Sequence, residues 1–557
     1  MKYNVLIGGA AGQGLDTLSR ILEKILQKQG YYVFTNKDYM SRIRGGHNFI
    51  QVRFGDEKIF SHDPQPHLIL ALNTQTYDKH REKLRPDGFV IADEKLNLSD
   101  EALHAYPFSD YMQSHKNNRL LTSLLIGAVL KHFGLSMDYV SEVFKDIFKT
   151  DELSTVNMEA CAYGYESSPE VFQAPKAQKQ DMILISGNEA TALGAIAAGL
   201  SYYSAYPMTP ATGIMNYLTK KQKEAGFVVE QAEDEIAAIS AAMGASYAGV
   251  RAMTGTSGGG FALMVEHVSF IGVAETPLVV VDVQRPGPAT GLPTRTAQGD
   301  LNMMLGSGHG EFPKLVTSLT DVESAFYDMQ RAFNMADRYQ LPVLVLSDQY
   351  LADATVTLAP FDFHRIPIAR HLSPPELIPQ DYQRYAVTEN GISPRYIPGQ
   401  TPDAIHLADS HEHDPYGHPT EDVTKVLAQM EKRMRKLQTL TADLLEPEHI
   451  GAQHPEILLI AWGSTGEILR EAIQEMQAES LSIGALIFKD LYPLPQKKLM
   501  ALAPQAKKII NVEHNMTGQF GKLITMETGL KMDHSILKYD GRQLNFKEMI
   551  QAVKEVI

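Results

Sequence analysis

Three times along the chain an apolar run breaks into glycines or small residues and then resumes at helical spacing. The runs are YNVLIGGAAGQG at residues 3–14, ILISGNEATALGAIAAGL at 183–200 and EILLIAWGSTGEILREAI at 456–473. A buried strand, a glycine turn and a helix in that order form the repeating unit of α/β domains. Further strand-like runs, HLILALN, GFVIAD, PLVVVDV and LPVLVLSD, alternate with helical stretches. At 557 residues the chain is too long for one core, given the usual ~150 residues per domain. Its pattern predicts three α/β domains.

Linker composition sets the expected boundaries. The first module covers 1–165, with Leu15, Leu18, Leu22 and Ile25 on one helix face, and a linker follows over 166–182. A second module covers 183–360. Residues 361–450 form a proline-rich stretch without clear period, closed by a charged helix, and a third module fills 451–557. The aperiodic stretch is too long for a turn and is expected to wrap over other parts of the protein or a partner.

Charge and cysteine usage narrow the function. A net charge of −15 argues against a general nucleic-acid binder. One cysteine, Cys161, rules out an intrachain disulfide framework or a four-cysteine iron–sulfur cluster. No apolar run has membrane-spanning length and the N-terminus has no signal-peptide pattern, so a soluble cytoplasmic protein is expected. No GxSxG elbow, Walker A loop or HExxH motif is expected in the chain, which weighs against a hydrolase or an NTPase.

Four carboxylates, Glu230, Glu233, Asp234 and Glu235, precede a helix of alanine, isoleucine and glycine. Acidic groups complement a helix N-terminus, by ~0.3–1 kcal/mol each. Glu235, however, shares a stripe with Ile239, Ala242 and Ser246, which should face inward. A carboxyl at the edge of a buried face must find a donor or take up a proton, which suits proton chemistry.

Other loops offer candidates. GGAAGQG (8–14), with Gly12 and Gly14, is either a tight turn or an anion cradle; its GxxGxG spacing is not that of dinucleotide folds. Downstream, Arg42, Arg44 and Arg53 could meet a phosphate-bearing ligand or line a solvated face. Tyr206, Pro207, Thr209 and Pro210 form a proline-stiffened loop after an apolar run. Thr256, Ser257 and Gly258 open a second strand-to-helix glycine loop. Arg285 follows a buried strand, where a guanidinium could grip a carboxylate. HEHD (411–414) reads as a solvated loop rather than a metal site, and EKRMRKL (431–437) as an exposed helix face.

Taken together, YPMTP, EDEIAAISAAMGASYAGVRAMTGTSGGG, ETPLVVVDVQRPGPATGLPT and VEHNMTGQFGKLI resemble the α subunit of 2-oxoacid:ferredoxin oxidoreductases. GGAAGQG with RIRGGHNFIQVRF resembles the γ domain of that family, fused in front of α. The resemblance implies a γ domain, a pyrimidine-type thiamine domain and a transketolase C-terminal-like domain. It also implies CoA-dependent oxidative decarboxylation of a 2-oxoacid, most closely 2-oxoglutarate to succinyl-CoA, with pyruvate or another 2-oxoacid as the alternative.

By position, Glu235 resembles the glutamate that hydrogen-bonds the aminopyrimidine ring of thiamine diphosphate. Tyr206, Pro207, Thr256, Ser257 and Gly258 fall on the same side of that cofactor. Thr209 and Arg285 match positions that hold the substrate carboxylate. Arg295 and His309 are candidates for a second carboxylate, and Gly12, Gly14 and Arg44 for CoA. No GDG motif is present and QGDLN (298–302) matches it only superficially. The implied Mg²⁺ and [4Fe-4S] cluster therefore fall to a β subunit, this chain carries no metal, and the assembly is a dimer of αβ heterodimers that reduces ferredoxin. WGSTGEI and VEHNMTGQFG read as structural or interfacial. Two readings from other classes stay open: a nucleotide-binding oxidoreductase built on GGAAGQG, and a non-catalytic scaffold subunit.

Overall fold

A computed structural model describes residues 1–41, 45–478 and 481–557. The chain divides into two compact units. The first holds Met1–Ser186, Asp353–Pro360 and Asn545–Lys547; the second holds Gly187–Ala352, Phe361–Leu544 and Glu548–Ile557.

An eight-stranded mixed sheet organises the first unit. Its order is Leu103–Tyr106, Phe89–Asp93, Leu68–Ala71, Lys2–Ala11, Gly45–Gly55, Tyr32–Asp38, Thr355–Leu358, Ile183–Ser186. The first four are parallel and the others join antiparallel. Leu15, Leu18, Leu22 and Ile25 of the Leu15–Lys28 helix are buried in its core, as their spacing predicts. Helices Leu121–His132 and Asp151–Glu166 approach so closely that a Cβ on Gly127 would collide with the Cys161 carbonyl. Cys161 is buried there, and burial pushes its thiol up to about 12.

The expected boundaries at 183 and 360 need correction. Ile183–Ser186 and Thr355–Leu358 pair with each other and with the Tyr32–Asp38 strand's sheet, so both segments belong to the first unit. Local pattern shows that a strand exists there but not which sheet takes it up.

The second unit contains two sheets. One runs Val228–Gln231, Leu200–Ala205, Arg251–Thr256, Leu278–Gln284, Pro342–Asp348, Leu315–Ser318, Asp490–Tyr492. Its first six strands are parallel; Asp490–Tyr492, which comes from the C-terminal module, closes the edge antiparallel. The other sheet runs Glu448–Gly451, Ile483–Phe488, Ile457–Trp462, Lys508–Glu513, His534–Leu537. One apolar core is continuous across both, from Ile239 and Phe261 through Trp462 to Phe520 and Ile524.

Ion pairs bind the aperiodic stretch to this unit. Asp337 receives Arg251 at 2.8 Å, Arg370 at 3.2 Å and Arg395 at 2.6 Å. The EKRMRKL segment is not an exposed face: Lys432, Arg433 and Lys436 of the Val423–Leu440 helix are buried. Both lysines pair with the equally buried Glu275, and Arg384 donates to the Glu275 carbonyl at 2.7 Å. Nor is HEHD a solvated loop throughout, since Glu412 pairs with Arg433 and His413 is buried against the Tyr385 ring. A charge run in sequence looks like surface until its distant counter-charge is known.

No helix among the described residues is long and apolar enough to cross a membrane. Among those residues, no group of three or more His, Cys, Asp or Glu side chains is placed to hold a metal ion.

Candidate functional site

In the seven-stranded sheet the chain leaves Leu200–Ala205 for Val228–Gln231 on one side, then crosses to Arg251–Thr256 on the other. Such a reversal opens a crevice beyond the carboxyl ends of the two central strands, where open parallel sheets bind ligands. The Tyr206–Pro210 loop and the Ser257–Gly260 turn both start at that crevice. Thr256 Oγ1 lies 3.9 Å from Met208 Sδ, so the two loops meet. Thr209–Pro210 is a cis peptide, whose Pro210 carbonyl accepts from Asn188 Nδ2 at 3.0 Å. Arg285 donates from Nη1 to the Thr209 carbonyl at 2.7 Å. The guanidinium is half-buried; burial loosens its proton and the Asp300 carboxyl opposes that effect. Tyr206 is exposed and Pro207 partly so.

Glu235 is the first residue of the Glu235–Tyr247 helix. Asp234 caps that helix, accepting from the Ala237 N–H at 2.7 Å, and leaves Glu235 free of a capping duty. Ile239, Ala242 and Ser246 share its buried face. Of the remaining acidic neighbours, Glu230 accepts from the Tyr202 hydroxyl and Glu233 is exposed. Glu235 itself is 4% exposed, and its Oε1 has no hydrogen-bond partner. Burial raises its pKa; the backbone hydrogen bond opposes this and the Asp234 charge adds to it.

What the carboxyl faces is the side-chain-free start of a helix. Gly258–Val273 opens with three glycines, and a Cβ built on Gly260 would fall 2.5 Å from Glu235 Oε1. Thr256 and Ser257 are fully buried beside it, and Ser257 Oγ also lacks a partner. Contrary to the expectation that GxSxG is absent, Gly255–Gly259 has the spacing of a hydrolase nucleophile elbow. Ser257, however, takes ordinary extended backbone (φ −127°, ψ 169°), and no base hydrogen-bonds its hydroxyl. This is a recess with orphaned oxygens rather than an activated serine.

The remaining candidates are scattered. Arg295 is half-buried, its Cβ 3.1 Å from where a Cβ on Gly541 would lie, and His309 is exposed in the turn before Phe312. In the first unit, Gly12 and Gly14 take left-handed φ values of 92° and 85°, at which L side chains are strained. Gly14 immediately precedes the Leu15–Lys28 helix, and the space a Gly12 Cβ would occupy is open. Arg44 lies outside the described residues.

Sequence spacing did not single out two features beside the crevice. Asp282, near the end of the Leu278–Gln284 strand, is buried against Asp300. Gln298 is clamped to the C-terminal module. It donates to the Trp462 carbonyl at 2.8 Å and accepts from Thr465 at 3.1 Å and from the His514 N–H at 3.0 Å. QGDLN is thus a joint between two sheets. In VEHNMTGQFG, Glu513 accepts from Trp462, Asn511, Asn515 and the Phe520 and Gly521 N–H groups, which leaves it no free oxygen for chemistry.

Family models match three stretches. Residues 4–167 match "Pyruvate ferredoxin/flavodoxin oxidoreductase". Residues 193–432 match "Pyruvate flavodoxin/ferredoxin oxidoreductase, thiamine diP-bdg", and residues 455–549 match "Pyruvate:ferredoxin oxidoreductase core domain II". The 2-oxoacid:ferredoxin oxidoreductase subunit alpha of Sulfolobus sp is 31% identical, with 100% of this chain and 97% of that protein covered. A 2-oxoglutarate synthase subunit from Methanothermobacter marburgensis is 31% identical over 62% of this chain and 91% of its own length. Among solved structures, 2-oxoglutarate:ferredoxin oxidoreductase from Magnetococcus marinus, with 2-oxoglutarate, coenzyme A and succinyl-CoA bound, superposes with a TM-score of 0.94 at 32% identity. It covers 100% of this chain and 99% of that one. The crevice at the sheet reversal lies within the thiamine-diphosphate-binding stretch, and the chain belongs to the 2-oxoacid:ferredoxin oxidoreductase family as an alpha subunit.

Proposed function

We propose that this chain, with a β subunit, converts 2-oxoglutarate and CoA to succinyl-CoA and CO₂ and passes the electrons to ferredoxin. Its likeness along the whole chain to the Magnetococcus marinus enzyme supports the substrate. The observation that carries the chemistry is the unclaimed Oε1 of Glu235, buried against the bare Cα of Gly260.

The donor set suits an aminopyrimidine ring: the side-chain-free Gly258, Gly259 and Gly260 let the Glu235 carboxyl lie against the helix start, and its Oε1 is left without a partner for the ring to supply. Thiamine diphosphate, when bound, supplies a carbanion centre that attacks the 2-oxo group and takes up the electrons left by decarboxylation. Glu235 holds or yields the proton at its carboxyl, and burial keeps that proton exchangeable nearer neutral pH than an exposed carboxyl would. Thr256, Ser257 and Gly258 are proposed for the cofactor side, together with Tyr206 and Pro207 on the loop that Met208 brings to Thr256. Arg285, steadied on the Thr209 carbonyl, has donors left for the substrate carboxylate, and the Thr209 hydroxyl is proposed to assist it.

Arg295 and His309 are proposed for the second carboxylate, and Gly12, Gly14 and Arg44 for CoA. The β subunit supplies the Mg²⁺ and [4Fe-4S] sites, in a dimer of αβ heterodimers.

The test is viologen reduction dependent on both CoA and 2-oxoglutarate, by this chain co-purified with its β subunit, beside the chain alone and beside pyruvate. Activity of the complex that favours 2-oxoglutarate is expected. A preference for pyruvate overturns the substrate, and activity of the lone chain overturns the shared site.

A further inference from the structure

The Leu278–Gln284 strand carries a carboxyl that none of these roles uses. Asp282 is 1% exposed and neither of its oxygens has a hydrogen-bond partner. It stands level with Thr256 on one neighbouring strand and Leu346 on the other, neither of which is charged. Asp300 faces it, and Asp300 Oδ2 is likewise buried and unpartnered.

The backbone fixes both groups. The Asp300 N–H donates to Gln284 Oε1 at 3.1 Å, while Gln298 two residues earlier is clamped to Trp462, Thr465 and His514. The Asp300 carboxyl lies over the start of the glycine helix, where a Cβ on Gly258 would come 2.5 Å from Oδ2. Gln284 is engaged with the Ser347 carbonyl at 2.9 Å, and Ser257 is neutral. Arg285 is the charged group that acts on the pair, and it acts through Asp300. Glu235 touches the same helix start two residues on, at Gly260.

Two carboxylates held together in a dry site cannot both ionise; one proton between them gives each a partner and leaves a single charge. We propose that Asp282 and Asp300 share one proton and so position Arg285, presenting it with one negative charge instead of two and leaving it positive enough to hold a substrate carboxylate. Burial pushes both carboxyls up, Asp300 to about 6 and Asp282 well above the ordinary range; the Asp300 charge adds to the rise at Asp282, whereas the Asp282 hydrogen bond and the Arg285 charge hold Asp300 lower. When rising pH strips the shared proton, a second charge forms beside Arg285 and competes with the substrate for it. The kinetic part of this inference rests on the reading of Arg285 as the carboxylate anchor; the shared proton does not.

Two measurements on the co-expressed complex test it. Infrared difference spectra at neutral pH should show a protonated carboxylic C=O band that D282N removes, because Asp300 alone beside Arg285 ionises. D300N should keep a band at a shifted frequency, because Asp282 then holds its proton beside a neutral amide in place of a carboxylate. The KM for the 2-oxoacid should rise with pH in the wild type, roughly tenfold for one pKa unit of coupling, and stay flat in D282N. This change should be in KM rather than kcat. A band that D282N leaves intact, or a KM rise that D282N retains, overturns the inference. R285M separates the two readings: if it leaves KM unaltered, the anchor reading fails alone and the infrared band still decides the shared proton.

Discussion

Glu235 closes against the bare Cα of Gly260, with Oε1 2.5 Å from where a methyl carbon would sit. Gly260→Ala therefore displaces the carboxyl and the neighbouring Thr256 hydroxyl. Alanine favours a helix over glycine by about 1 kcal/mol, so thermal melting should show a folded protein. Viologen reduction by the complex should nevertheless fall at least ~10²-fold, the lower range for losing a proton-transfer group.

Glu235→Gln keeps shape and removes the titrating proton. The kcat should drop by ~10²–10⁴, while stability holds or rises because a buried, unpartnered carboxyl is gone. Burial raises the folded-state pKa, so the folded protein binds the extra proton, and stability declines as pH rises from the ordinary carboxylate range through the raised value. Denaturant melts across that window should show a shallower decline in the variant. A variant as active as the wild type would instead favour a scaffold role for this chain.

The Glu275 cluster should govern stability without touching the crevice. Glu275→Gln strands Lys432 and Lys436 as uncompensated buried charges and should cost ~3–5 kcal/mol in guanidinium melts. Lys432→Met should cost much less, since Lys436 still answers Glu275. One carboxylate serves two lysines, and burial together with its neighbour's charge pulls Lys432 down to about 7. Glu275 is held below the ordinary carboxylate range, so its contribution is complete above that range and is lost as acid drives pH down through the depressed value.

Gln298→Ala removes three side-chain hydrogen bonds at the joint between the two sheets. Each buried partner left unpaired should cost about 1–3 kcal/mol. Because Gln298 also fixes the backbone leading to Asp300, the KM for the 2-oxoacid should rise more than kcat falls. Denaturant melts and steady-state kinetics on the same preparation separate the two effects.

Local pattern carried much of this fold. The inward stripe of Glu235, Ile239, Ala242 and Ser246 and the helix face of Leu15, Leu18, Leu22 and Ile25 follow from period alone. Partnership over distance was not legible. Ile183–Ser186 reads as the start of a new module yet pairs into the sheet before it, because strand pairing is not a local property. Lys432 and Lys436 read as surface because Glu275 is far away in sequence. Asp282 and Asp300 meet only once the loop between them has folded back, so no motif spacing announces them. Gly260 was hidden differently: a glycine run says that a backbone must come close to something, and not to what.

The Asp490–Tyr492 strand lies along Leu315–Ser318, the far rim of the thiamine-type sheet. A C-terminal truncation near residue 450 would strip that rim bare, leaving backbone N–H and C=O groups open to another chain's strand. It would also expose the apolar surface now shared with Trp462 and Phe520. The thiamine-type module of this protein is therefore not a portable part. Cut free, it should self-associate, and soluble pieces for engineering or crystallisation should keep the chain intact through its C-terminal module.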